Sequence, residues 1–68
     1  MDIQEIRKIE TYLRKLFGNQ NIRIQPLTKK GDAAEVYLGE ESIGIVSPDE
    51  DEGDYNFHMA ILGVDLEG

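Results

Sequence analysis

Residues 13–25 read Leu13-Arg14-Lys15-Leu16-Phe17-Gly18-Asn19-Gln20-Asn21-Ile22-Arg23-Ile24-Gln25. Within this stretch the apolar spacing changes. Upstream of Gly18, Ile3, Ile6, Ile9, Leu13, Leu16 and Phe17 recur at steps of three and four, the period of one helix flank. From Ile22 onward, apolar and polar residues alternate, the period of a strand with one buried face. The spacing therefore predicts a helix over residues 2–17. Asp2 is a suitable N-cap and Glu5 completes an acidic capping box, while Arg14 and Lys15 complement the negative end of the helix dipole. Gly18 supplies the left-handed residue that ends the helix. Glu10 and Arg14 stand four apart in the favourable order.

Downstream, four strands are expected. The first holds Ile22 and Ile24 and stops at Pro26, which cannot donate to a ladder. A three-residue loop Lys29-Lys30-Gly31 leads into a second strand, residues 33–38, setting Ile24 opposite Val36 and Ile22 opposite Leu38. Gly39-Glu40 fits a two-residue turn with glycine first, followed by a third strand over residues 42–47. That turn sets Val36 against Ile43 and Ala34 against Ile45. Pro48 and the acidic run 49–54 precede a fourth strand, residues 55–62, with Phe57, Met59 and Ile61 on the inner side. Residues 63–68 form a short tail. The fold class expected is α+β: one N-terminal helix packed on one face of a four-stranded antiparallel meander, in a single domain spanning residues 1–68.

Composition narrows the functional classes. The chain has 68 residues and no cysteine, so disulfides and thiolate metal sites are excluded. A domain this short buries only about 60% of its unfolded surface, which makes self-association a reasonable expectation. No signal-peptide pattern opens the chain and no apolar run approaches the roughly 20 residues of a membrane span. A cytoplasmic protein with no membrane contact is expected.

The net charge of -7 is unevenly spread. Residues 1–30 hold all seven Lys and Arg against three acids, a balance of +4, and residues 31–68 hold eleven acids and no base. Such asymmetry suits two partners, head-to-tail association, or two halves that neutralise each other.

The candidates for chemistry are few. The run Asp49-Glu50-Asp51-Glu52-Gly53-Asp54 begins like a calcium loop, but its glycine falls one place early and Ala60 stands where the bidentate glutamate belongs. A solvated acidic loop is the expected reading. His58 is the one histidine, and no serine, cysteine or second histidine is placed to join it in a relay. Arg7, Lys8, Arg14 and Lys15 repeat at seven and form a basic helix flank, yet no stacking aromatics interleave them. No catalytic, cofactor-binding or metal-binding residue is assigned.

Strand parity puts Arg23, Gln25, Glu35, Tyr37, Gly44, Val46, Asn56, His58, Ala60 and Leu62 on the sheet face away from the helix. Several are more apolar than a free surface needs, and Gly44 leaves room for Tyr37 to lie across it. The expected interaction surface is Arg23, Tyr37, Val46, His58 and Leu62. The functional expectation is a non-enzymatic protein–protein interaction module, homodimeric or bound to another protein. The alternative is a nucleic-acid or ribonucleoprotein accessory that uses the basic helix flank.

The runs Tyr12-Leu13-Arg14-Lys15-Leu16-Phe17, Asn21-Ile22-Arg23, Ala34-Glu35-Val36-Tyr37-Leu38-Gly39, Ile43-Gly44-Ile45 and Tyr55-Asn56-Phe57-His58-Met59-Ala60-Ile61-Leu62 span almost the whole chain. They resemble a family of short alphaproteobacterial proteins catalogued as a domain of unknown function. The resemblance implies a small, free-standing bacterial protein of the cytoplasm and carries no activity, cofactor or catalytic residue.

Overall fold

A computed structural model describes residues 1–27, 32–49 and 53–67. The order of elements is helix α1 (Ile3–Phe17), strands β1 (Ile22–Pro26), β2 (Ala34–Leu38), β3 (Glu41–Pro48) and β4 (Tyr55–His58), then a 3-10 turn (Gly63–Leu66). The strands form one antiparallel sheet in the order β1-β2-β3-β4. This is the α+β meander that the change of period implies.

Both ends of α1 are fixed locally. The Glu5 amide donates to Asp2 Oδ1 at 2.8 Å and the Asp2 amide donates to Glu5 Oε1 at 3.3 Å, which closes the capping box. At the other end Gly18 takes φ 63° and ψ 36°. The Asn19 and Gly18 amides donate to the carbonyls of Arg14 and Lys15 at 3.0 and 3.3 Å, a Schellman closure.

The expected first hairpin pairs, Ile24 with Val36 and Ile22 with Leu38, are observed. Its loop, Lys29-Lys30-Gly31, lies outside the described residues, as do residues 50–52 of the acidic run. The turn at Gly39-Glu40 also forms, with Gly39 at φ 65° and Leu38 facing Glu41.

The register beyond that turn differs from expectation. Tyr37 faces Ser42, but Val36 faces Gly44 rather than Ile43, and Ala34 faces Val46 rather than Ile45. Ile43 is the extra residue of a β-bulge. Side chains alternate along a strand, so one inserted residue exchanges the faces of everything after it. Val46 turns inward and is 2% exposed, while Ile45 turns outward and is 42% exposed.

The reason lies in β4. A Cβ on Gly44 would come within 2.6 Å of the Phe57 ring and would collide with the His58 carbonyl oxygen. The glycine thus makes room for Phe57, the residue that lies across it, and not for Tyr37. The bulge also keeps Ile43 packed on the core. β4 ends at His58, so Met59 and Ile61 do not join an inner strand face and both are exposed.

The core consists of Ile6, Leu13, Ile22, Ile24, Ala34, Val36 and Val46. Among the described residues, one charged side chain, that of Glu10, is buried with it. Glu10 Oε2 accepts the Ile24 amide at 2.9 Å, and Arg7 and Arg14 both reach its carboxylate. Arg14 Nε donates to the Ile22 carbonyl at 2.7 Å. Ile22 and Ile24 are the β1 residues whose peptide groups point away from β2. Two helix side chains therefore occupy an edge that would otherwise offer a template for another strand.

Candidate interaction surface

The hydrogen bonds to β1 draw α1 toward that edge, and the helix packs chiefly on β1. Its apolar flank is consequently not fully covered. Ile6 and Leu13 are buried, but Ile3, Leu16 and Phe17 are each more than half exposed. Between α1 and the inner side of β3 and β4 runs an open groove of about 670 Å³, lined by Ile9, Tyr12, Leu16 and Phe17 on the helix side and by Val46, Tyr55 and Phe57 on the sheet side. Lys8 borders it from the helix, Asp49 and Asp54 from the sheet. The Tyr55 hydroxyl donates to Glu5 Oε2, tying β4 to the start of α1. That bond is the chief reason the Glu5 carboxyl titrates below, and the Tyr55 phenol above, its ordinary range.

The outer sheet face carries a polar cluster beside an apolar patch. Glu35 accepts from the Tyr37 hydroxyl at 2.9 Å and from the Ser42 hydroxyl. Those two bonds, Ser42 first, lower the Glu35 pKa, and the bond to Glu35 raises that of Tyr37. Arg23 donates to the Gly39 carbonyl at 3.0 Å. His58 stands opposite Ile45. Beside them a second groove, about 520 Å³, is bordered by Ile45, Met59 and Leu62.

Of the five residues expected to form the interaction surface, Arg23, Tyr37 and His58 lie on this outer face. Leu62 borders it from beyond the end of β4 and is exposed. Val46 does not belong there: the bulge at Ile43 moves it into the core, and Ile45 takes its place outside. The helix groove was not anticipated, because a continuous helix stripe implies full coverage. The one sequence signal that pointed to it is Glu10, a carboxylate set inside that stripe.

Among the described residues, no three His, Asp or Glu side chains gather as a metal site, and His58 makes no hydrogen bond to a hydroxyl or carboxylate. The Asp49 amide donates to the Asp54 carbonyl at 2.7 Å, which closes the base of the acidic loop. Among the described residues, no helix is long and apolar enough to cross a membrane. On the basic helix flank, Arg7 and Arg14 pair with Glu10, Arg7 staying exposed, and Lys8 and Lys15 are exposed cations without an ion pair to a described residue.

The chain matches, over residues 5–65, the model of a family described as Protein of unknown function (DUF3126), and it belongs to that family. No curated protein and no solved structure matches it.

Proposed function

We propose that this DUF3126 member is a small, non-enzymatic protein–protein interaction module that associates with itself. One observation carries the reading. The chain exposes 5410 Å², whereas a folded monomer of 7.7 kDa averages about 4,300 Å². The surplus, about 1,100 Å², exceeds the roughly 800 Å² that each partner contributes to a stable interface. Large apolar side chains lie on this exposed surface: Tyr12, Leu16 and Phe17 on α1, and Met59, Ile61, Leu62, Val64 and Leu66 after β4, are all more than half exposed. An apolar surface this extensive on so small a chain is the mark of an interface.

The setting proposed is the bacterial cytoplasm, in keeping with the cysteine-free composition. A surface of this kind needs no catalytic group. The test is the rotational correlation time of the full chain by NMR relaxation, from micromolar to millimolar concentration. A rise toward the value for a doubled mass is expected. A constant monomer value across that range refutes the reading.

A further inference from the structure

We infer that residues 59–66 of one copy dock in the groove between α1 and the β3–β4 sheet of a second copy. This deepens the self-association proposed above and rests on it.

The segment and the groove have matching chemistry. Ile61, Leu62, Val64 and Leu66 are between 58% and 77% exposed, and the groove floor is formed by Val46 and Phe57 with Tyr12, Leu16 and Phe17 as its helix wall. Their lengths match as well. Four extended residues followed by the four of the 3-10 turn span about 22 Å, and a 15-residue helix runs about 22 Å.

Charge sets the polarity. Asp65 and Glu67 are exposed and make no ion pair among the described residues, while Lys8 borders the groove and Lys15, two turns further along the same flank, is also exposed. The opposite wall bears Asp49 and Asp54, so the acidic side of the segment belongs against the helix.

The occupant is a second copy because each chain's segment starts on the wrong side of its own sheet. Met59, Ala60 and Leu62 border the outer-face groove with Ile45 and His58, whereas the helix groove opens on the inner face. The arrangement is reciprocal, with each copy giving one segment and accepting one, which closes a two-fold dimer.

The test compares the full chain with two variants by sedimentation equilibrium. Val64→Ser with Leu66→Ser removes apolar contact at two exposed positions outside the core. Ile45→Lys alters the outer sheet face instead. The double variant is expected to weaken dimerisation on the order of 10,000-fold, since the two-fold dimer loses four buried aliphatic chains and each supports about tenfold. Ile45→Lys should dimerise as the unaltered chain does. In a sample mixing labelled and unlabelled chains, isotope-filtered NOEs are expected from Val64 and Leu66 methyls of one copy to the Phe17 ring of the other. A monomeric unaltered chain overturns both the self-association and this docking. A dimer that survives the double substitution, or one broken by Ile45→Lys, overturns the docking alone. So do NOEs to Phe17 that arise only within one copy.

Discussion

Glu10 of α1 accepts the Ile24 amide of β1 at 2.9 Å, placing a buried carboxylate on the edge of the sheet. Arg7 and Arg14 approach the same carboxylate to 3.0 and 3.5 Å, and Arg14 also holds the Ile22 carbonyl. The residue thus closes one sheet edge and fixes the position of the helix in a single arrangement. It also seats the helix on β1, and the groove lies on the side of β3 and β4.

Replacing Glu10 with Ala strands the Ile24 amide away from water and leaves two guanidinium groups without their anion. A buried donor left unsatisfied costs about 1–3 kcal/mol, more where charges are involved. Glu10→Ala should lower stability by about 2–3 kcal/mol, and Glu10→Gln, which keeps an acceptor, by less. Urea denaturation followed by circular dichroism measures both. Equal loss in the two variants would show that the negative charge, and not the acceptor on the Ile24 amide, is what matters.

Gly44→Ala sets a methyl group against the His58 carbonyl and the Phe57 ring. The first of these is backbone and cannot rotate away. Overpacking of this sort typically costs about 1–3 kcal/mol. The damage should concentrate at β4, with amide exchange at residues 55–58 rising well before that of β1 and β2. Uniform loss of protection across the sheet would contradict the place given to Phe57.

The helix caps and the Gly39-Glu40 turn were legible in the sequence because each depends on residues a few places apart, and the first hairpin pairing because apolar alternation in both strands matches only in that register. Asp2 and Glu5, or Gly18 and Lys15, interact whatever the rest of the chain does. The bulge at Ile43 was not legible, because it answers to Phe57, which comes from a different strand. Strict alternation through Ser42–Ser47 therefore placed Val46 outside and Ile45 inside, and the expected surface inherited that error at one position. Arg23, Tyr37 and His58 kept their face because their strands carry no inserted residue. The helix groove was hidden for a related reason: the period of α1 shows which residues share a flank, but the seating of the helix on β1, with Leu16 and Phe17 left open, involves Glu10 bonding fourteen residues away.

Two tyrosine–carboxylate pairs give the fold a defined pH response. Tyr55 lowers the Glu5 pKa from its ordinary 4.5, and on the outer face Ser42 and then Tyr37 do the same to Glu35. A carboxyl depressed in the folded state adds stability that is present above the unfolded value and is lost as pH falls through the folded one. The raised Tyr55 and Tyr37 phenols work in the opposite sense: their contribution is present below 10.0 and is lost as pH rises through their folded values. The contribution of these two pairs should be flat between these limits and fall on either side. A carboxyl titration by NMR checks the cause, since Tyr55→Phe should raise the Glu5 pKa and leave that of Glu35 unchanged. An unmoved Glu5 would remove the Tyr55 bond from the account.

Tyr55→Phe also bears on the groove, because it frees β4 from the start of α1 without altering an apolar contact. If the groove is an interface, the variant should dimerise with an affinity within severalfold of the unaltered chain. A complete loss of dimer would assign the association to the Tyr55–Glu5 contact.

The most direct test is the mass of the full chain in solution by sedimentation equilibrium at millimolar concentration. The exposed apolar groove and the segment after β4 predict twice the 7.7 kDa of one chain. A mass of 7.7 kDa under those conditions would contradict the central claim.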